Sequence, residues 1–385
     1  MSSIHSSSFP NKQEEDIIPN GKRPRLGRYE RLRQELENND NDAYKIFIDV
    51  TSPIELDHKY TFVDLFCGAG GLTQGLSQAG FTPLASVEID PIASITHQRN
   101  FPYCAHFCGD IKDFAPLDWL AQIDAPEIHL VVGGPPCQGF SLAGKRDPQD
   151  PRNRLFSEFV RIVNEIRPWY VVMENVPGIL TIQKGQIKNA IFEAFAAIGY
   201  AHVSVAILES AAYGVPQLRP RAVFIANRFG LKNPFPQIQL LPEEYKPIES
   251  AIADLPEYTP IPEINHEWTK HSKAYMERIA KVSPGGSLYE KYLDSFKRQY
   301  PGKPSMTVKE NHGGTHIHPH LNRVISAREM ARLQTFPDTF IFAGTMKKAM
   351  WQIGNAVPPR LAECIGYALI PYLNEIKKSI YFSKK

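Results

Sequence analysis

The sequence has no apolar run approaching the roughly 18 residues that a membrane helix needs, so no spanning segment is expected. Its first residues, MSSIHSSSFPNKQEED, lack the apolar core of a secretory signal. Cysteine is scarce: Cys67, Cys104, Cys108, Cys137 and Cys364 are an odd, thin set in 385 residues. That argues against a disulfide framework and fits a reducing compartment, with the cytoplasm as the expectation. A strong charge of one sign is also missing. Forty-three Lys and Arg against 41 Asp and Glu leave +2, so global charge does not announce a nucleic-acid binder and any basic surface must be local. Apolar residues at 43% and charged residues at 22% rule out a mostly disordered or collagen-like chain. What exceeds the ordinary is proline: 32 residues, above the usual share of about 5%, so long loops are expected. At roughly 150 residues per domain, the length suggests two or three domains.

The first 58 residues read as an extension with little to bury. Lys22, Arg23, Arg25, Arg28, Arg31 and Arg33 cluster around Glu30. They suit phosphates or an address signal, and a solvated helix or tail is the plain alternative. KIFIDV (45–50) adds one candidate strand. From Tyr60 the pattern changes. TFVDLF (61–66), PLASVEI (83–89), IHLVV (128–132), WYVVME (169–174), HVSVAIL (202–208) and AVFIAN (222–227) have strand composition. Helix-period segments begin between them near Gly71, Pro91, Asn153 and Lys184. Buried strands alternating with helices predict an α/β fold with a doubly wound, mostly parallel sheet over residues 59–228, of the Rossmann-like kind. Its ligand belongs at the C-terminal edge of the strands. After Arg228 the alternation stops. Residues 229–325 are rich in Pro, Tyr, Lys and His and predict a second, smaller, loop-rich domain. Residues 326–385 return to helical period, at 326–337 and 360–375.

Four stretches carry chemistry. Asp64-Leu-Phe66-Cys-Gly68-Ala-Gly70-Gly71 follows a strand and precedes a helix, where glycines let the backbone turn and approach a ligand. Glu88 ends the next strand twenty residues after Gly68, where doubly wound nucleotide sites bind ribose hydroxyls, and Gly109-Asp110-Ile111 suits an adenine edge. These features point to an adenosine-containing cofactor. NAD stays open, although the spacing is not GxGxxG, and a tight turn with a solvated strand end is the plain alternative. Gly133-Gly-Pro135-Pro136-Cys137-Gln138 places a thiol on a stiffened loop at the ligand edge, positioned for attack rather than for packing. Glu174-Asn175-Val176 puts a carboxylate at a strand end, where a capping acid is the alternative. In Gln217-Leu-Arg219-Pro-Arg221, alternation in an extended segment sends Gln217, Arg219 and Arg221 to one face.

Taken in order, FVDLFCGAGG (62–71), VEID (87–90), GDI (109–111), GGPPCQGFS (133–141), ENV (174–176), QLRPR (217–221), REMARLQTFPD (328–338) and QIGNAVPP (352–359) resemble the motif series of the DNA (cytosine-5)-methyltransferases. The resemblance covers about residues 60–228 and 326–360 and leaves 1–58 and 229–325 outside it. It implies S-adenosyl-L-methionine as cofactor and double-stranded DNA as partner. Cys137 would attack carbon 6 of a flipped cytosine. Glu174 would supply a proton at ring nitrogen 3, and Arg221, with Arg219, would hold the carbonyl oxygen and orient Glu174. Phe66 would stack beside the adenine, the backbone of Gly68, Gly70 and Gly71 would meet the methionine moiety, and Glu88 would take the ribose hydroxyls. Asp110 and Ile111 would take the adenine, with Pro136 and Asn355 completing the pocket.

The segment after Cys137 suits a mobile lid, with Gly139 and Gly144 for bending and Lys145, Arg146 and Arg152 for phosphates. A second domain that reads one short sequence suggests the modification enzyme of a restriction system, with a cognate endonuclease acting on the same site as the partner this reading implies. A tRNA-methylating branch of the family and a catalytically silent DNA-binding regulator are the rivals. The first carries a Cys-Phe-Thr signature, and no Cys occurs here between Cys137 and Cys364. His312, His316, His318 and His320 lack a complete metal-ligand pattern, and Cys104, Cys108, His97 and His106 read as core, so no metal is expected.

Overall fold

Strands form where β-branched and aromatic residues run together. The computed structural model describes residues 60–123, 127–136, 154–289, 296–309 and 316–383. The Lys22–Arg33 cluster, the strand expected at 45–50, Cys137 with the lid segment to Arg152, and His312 lie outside the described residues. The central strands are β1 (Tyr60–Leu65), β2 (Phe81–Glu88), β3 (Ala105–Cys108), β4 (Leu130–Gly133), β5 (Tyr170–Asn175), β6 (His202–Glu209) and β7 (Pro220–Asn227). The helices between them are α1 (Gly71–Gln78), α2 (Pro91–Asn100), α3 (Pro116–Gln122), α4 (Arg154–Ile166) and α5 (Gln186–Ala197). The sheet order is β3-β2-β1-β4-β5-β7-β6. Pairings among β3, β2, β1, β4 and β5 are parallel. β7 runs against both β5 and β6, so it alone is reversed in a sheet otherwise of one direction. The mostly parallel, doubly wound fold is therefore present, with one reversed strand that apolar patterning does not reveal.

Alternation sorts each central strand onto two layers. Phe62, Leu130, Val132 and Val172 pack with Leu72 and Leu76 of α1 and with Leu361, Ile365 and Leu369 of α10 (Pro359–Ser383). Their neighbours Val63, Leu65, Val131 and Val171 pack with Phe159, Ile162 and Val163 of α4 and Ile191 and Phe195 of α5. Each such side chain contributes about 1.5–3 kcal/mol by burial. The strand order reverses between β1 and β4, and the crevice beyond their C-terminal ends is the natural ligand position.

Beyond β7 come short elements: α6 (Glu249–Ile252), α7 (Lys273–Ala280), and the two-residue strands β8 (Lys297–Arg298) and β9 (His316–Ile317). α8 (Ala327–Leu333) and α9 (Met346–Asn355) follow, then α10, which continues past the expected end to Ser383. α8 opens with a reciprocal cap in which Ser326 and Glu329 satisfy each other's backbone N–H. Where regular ladders are short, buried arginines bond the carbonyls. Arg298 donates to Ile279, Val282, His318 and Leu321 oxygens, and Arg328 to Ile264, Pro337 and Phe340 oxygens. A guanidinium has five donors in a fixed fork, which suits a loop-rich region whose carbonyls lack partners.

Candidate active site

At the end of β1 the chain turns sharply. Phe66 has φ 59°, Gly68 55° and Gly70 100°, and Gly71 then starts α1. A Cβ on Gly68 would meet nothing within 4 Å, so that side of the turn is open. A Cβ on Gly71 would lie 2.3 Å from the Val357 oxygen and 3.2 Å from the Ala356 Cβ. Gly71 is thus required by the chain returning after α9.

Glu88 stands across the turn. Its Oε2 accepts from Gly68 N at 2.8 Å, and its Oε1 from Ile89 N at 2.9 Å and Asp90 N at 2.8 Å. Burial raises its pKa against these bonds. Three backbone amides fix the carboxylate and leave acceptor capacity on Oε2. Ile89, which the motifs did not single out, is 58% exposed beside it. Asp110 follows β3 and caps the turn at Ile111–Asp113, accepting from Lys112 N at 3.1 Å. Ile111 is buried in the second core layer, so its side chain packs rather than faces the crevice. Asn355 ends α9 and is exposed, on the turn whose next residues press on Gly71.

Beneath the turn lies a buried polar network. Thr73 Oγ1 donates to Asp64 Oδ2 at 2.6 Å and meets His97 Nε2 at 3.1 Å. Ser86 Oγ meets His97 Nδ1 at 3.4 Å and His106 Nδ1 at 2.8 Å, and Cys104 Sγ at 3.5 Å. Burial pushes Asp64 up to about 7 and His106 down to about 4. Cys67, His97 and His106 hold donor atoms within 4.8 Å of one another. The two hydroxyls already account for both His97 nitrogens, so the group has the chemistry of a hydrogen-bonded core.

The second half of the site assembles at the ends of β4 and β5. Asn175 Nδ2 donates to Pro135 O at 2.9 Å, tying the two strand ends together. Pro136 is exposed beyond it and is the residue bonded to Cys137, which is itself outside the described residues. Glu174 lies at the end of β5, and the position of a Cβ on Gly134 is 3.1 Å from its Oε2. Because β7 is reversed, its first residues start at this same edge. Arg221 Nε meets Glu174 Oε1 at 2.7 Å, both side chains being about one-eighth exposed (12% and 13%). A close, mostly desolvated pair of this kind is a strong, directional contact.

Arg219 goes elsewhere. Its Nη1 donates to Val308 O at 2.6 Å, and its Nη2 to Gly354 O at 2.7 Å and Ala356 O at 2.9 Å. Burial lowers its pKa, with Arg221 adding to that and Glu174 opposing it. Gln217 joins the same structure: its Nε2 donates to Leu333 O and Gln334 Oε1, and its Oε1 accepts from Val308 N. The structure therefore brings Glu174 and Arg221 together but gives the terminal nitrogens of Arg219 to backbone. The tie from Asn175 to Pro135 and the brace from Gln217 were missed because each needs a partner distant in sequence. ENV and QLRPR were the available signals.

A family model described as C-5 cytosine-specific DNA methylase matches residues 60–371. The chain is 38% identical to Type II methyltransferase M1.HphI of Haemophilus parahaemolyticus over 329 residues, covering 80% of this chain and 86% of that protein. It is 35% identical to Type II methyltransferase M.DdeI of Desulfomicrobium norvegicum over 377 residues, covering 82% and 89%. Among solved structures, a prophage-encoded E. coli protein described as a DNA modification methyltransferase superposes with TM-score 0.70 at 28% identity, covering 82% of this chain and 100% of that one. DNMT2 of Spodoptera frugiperda shares the fold, at TM-score 0.58 and 21% identity. Among the described residues no helix is long and apolar enough to cross a membrane.

Proposed function

The chain belongs to the C-5 cytosine-specific DNA methylase family, and on that premise we propose that it methylates carbon 5 of a cytosine flipped out of duplex DNA at one short sequence, with S-adenosyl-L-methionine as donor and Cys137 as nucleophile. The observation that carries this reading is the Glu174–Arg221 pair at the switch-point edge, on the strand whose end is tied to the loop leading to Cys137.

The donor pocket is a turn open at Gly68, a carboxylate held by three amides at Glu88, and an exposed apolar face at Ile89. Those features fit an adenosine-bearing donor: hydroxyls go to Glu88, the adenine lies near Ile89, Phe66 and Asp110, and the methionine end meets the backbone of Gly68–Gly71. Pro136 and Asn355 border it. When bound, the donor supplies an electrophilic methyl group on sulfur.

Carbon 5 of cytosine is a poor nucleophile. Cys137 thiolate adds to carbon 6, forming a carbon–sulfur bond, and carbon 5 becomes enamine-like. Electron density moves toward ring nitrogen 3, where Glu174 gives a proton or a strong hydrogen bond. Arg221 holds Oε1 of Glu174, which leaves Oε2 for the base, and its remaining donors suit the carbonyl oxygen. After methyl transfer a base removes the carbon 5 proton and the thiolate leaves. Extruding the base costs a few kcal/mol, which groove and phosphate contacts from residues 229–325 and from the segment after Cys137 offset. The Type II names of both curated relatives described above support a modification enzyme that protects DNA from a cognate endonuclease.

Radiolabelled methyl transfer to duplex DNA and, separately, to tRNA tests this. Counts in duplex DNA, recovered as 5-methylcytosine, are expected. Counts in tRNA alone would mark an RNA enzyme, and none in either a silent DNA-binding relative.

A further inference from the structure

We infer that Arg219 is a positioning residue that clamps the donor pocket to the base pocket, rather than a residue that touches cytosine. This rests on the donor and base pockets proposed above. Arg219 is 1% exposed, and both terminal nitrogens are bonded to carbonyls of Val308, Gly354 and Ala356. A base could reach those nitrogens only by breaking those bonds, and the remaining Nε is itself buried from solvent.

What the clamp holds is specific. Gly354 and Ala356 flank Asn355 at the C-terminal end of α9, where helix carbonyls lack intrahelical partners and a cation is favoured. The same turn presses Ala356 and Val357 onto Gly71 of the donor turn. Two residues along the strand from Arg219, Arg221 orients Glu174. One guanidinium thus ties the wall of the donor pocket to the strand that aims the acid. Gln334 braces the turn from the other side, its Nε2 donating to Ile353 O at 2.8 Å and Ala356 O at 3.2 Å. The planar fork is needed because two arms must reach carbonyls in separate segments, which a lysine ammonium cannot span.

Positioning and base contact differ in one measurable way. A clamp on the donor wall acts before DNA arrives. Equilibrium dialysis of S-adenosyl-L-methionine against the full chain without DNA should show Arg219→Lys binding about tenfold more weakly. Arg221→Lys, which alters only the acid's partner, should stay within about twofold of wild type. At saturating donor and duplex, Arg219→Lys should recover kcat to within about threefold, so that the loss lies in KM for the donor. Gln334→Met, a milder cut at the same turn, should weaken donor binding a few-fold with kcat kept, and it serves where Arg219→Lys does not fold. Wild-type donor affinity in a folded Arg219→Lys or Gln334→Met chain, with kcat down about a hundredfold or unchanged, overturns the inference alone. A wild-type chain that binds no donor overturns the inference together with the proposed function.

Discussion

Gly68 and Gly80 make a matched pair. Both have positive φ, 55° and 89°, and at both a Cβ would meet nothing within 4 Å. Alanine at either position pays the left-handed backbone cost, roughly 1–2 kcal/mol, and the cost at Gly80 is at least as large because its φ lies further from the small region open to L residues. Neither loses packing. The two differ in what the empty space is for. Gly80 sits at the far end of α1, between α1 and β2, whereas Gly68 sits in the turn that donates to Glu88. A methyl group at Gly68 stands where the donor's methionine end is proposed to lie. Urea unfolding should therefore give losses of about 1–2 kcal/mol for both variants with unchanged slope. Equilibrium dialysis should separate them: Gly80→Ala binds donor like wild type, and Gly68→Ala at least about tenfold more weakly, a loss of about 1.4 kcal/mol. Equal donor affinities in the two folded variants would refute the reasoning, because the open side of Gly68 would then face no ligand.

Replacing Arg221 by Ala removes the partner 2.7 Å from Glu174; kcat should fall at least about a hundredfold with donor affinity retained, and a fall below threefold in single-turnover assays would contradict the orienting role. Gly71→Ala forces the Val357 oxygen back from 2.3 Å, which should cost about 1–3 kcal/mol in urea unfolding, and a neutral result would show that the C-terminal return is not packed on the turn. His97, His106, His129 and His318 are each at most 9% exposed, and burial lowers their pKa values, to about 4 for the last three. Their unfolded forms take up protons near pH 6.5 and the folded forms do not, so the stability tied to their neutrality is full above pH 6.5 and is lost as pH falls toward 4. Asp64, pushed up to about 7, acts with the opposite sign and offsets one of them. Unfolding free energy should fall by roughly 4 kcal/mol per pH unit near pH 5; a flat profile between pH 6.5 and 5 would show that these imidazoles titrate normally.

The central strands were legible because a buried parallel strand must be apolar on both faces, and TFVDLF or WYVVME can be little else. β3 is only weakly marked, since AHFC is four residues long and two of them, His106 and Cys108, are not typical of strands. Strand direction left no mark either. Nothing in AVFIAN distinguishes a reversed strand from a parallel one, yet the reversal is what delivers Arg221 to Glu174. α9 is hard to read, because MKKAMWQIGN declares itself mainly in its closing motif. The site followed the same division. Glu88, Asp110 and Glu174 were readable as acids at strand ends. The partners of Arg219 were not, because Val308, Gly354 and Ala356 lie 89 to 137 positions away. The meeting of Cys67, His97 and His106 likewise depends on β1, β2 and β3 lying side by side.

The most direct test is to incubate the full chain and S-adenosyl-L-methionine with a long duplex copied with 5-fluorodeoxycytidine triphosphate in place of the natural nucleotide, so that every short site is present. Fluorine at carbon 5 cannot depart as a proton, and the enzyme should remain attached to methylated DNA, with the adduct mapping by peptide mass to Cys137 and absent from Cys137→Ala. Free enzyme after exhaustive incubation, or an adduct on any other residue, would contradict it.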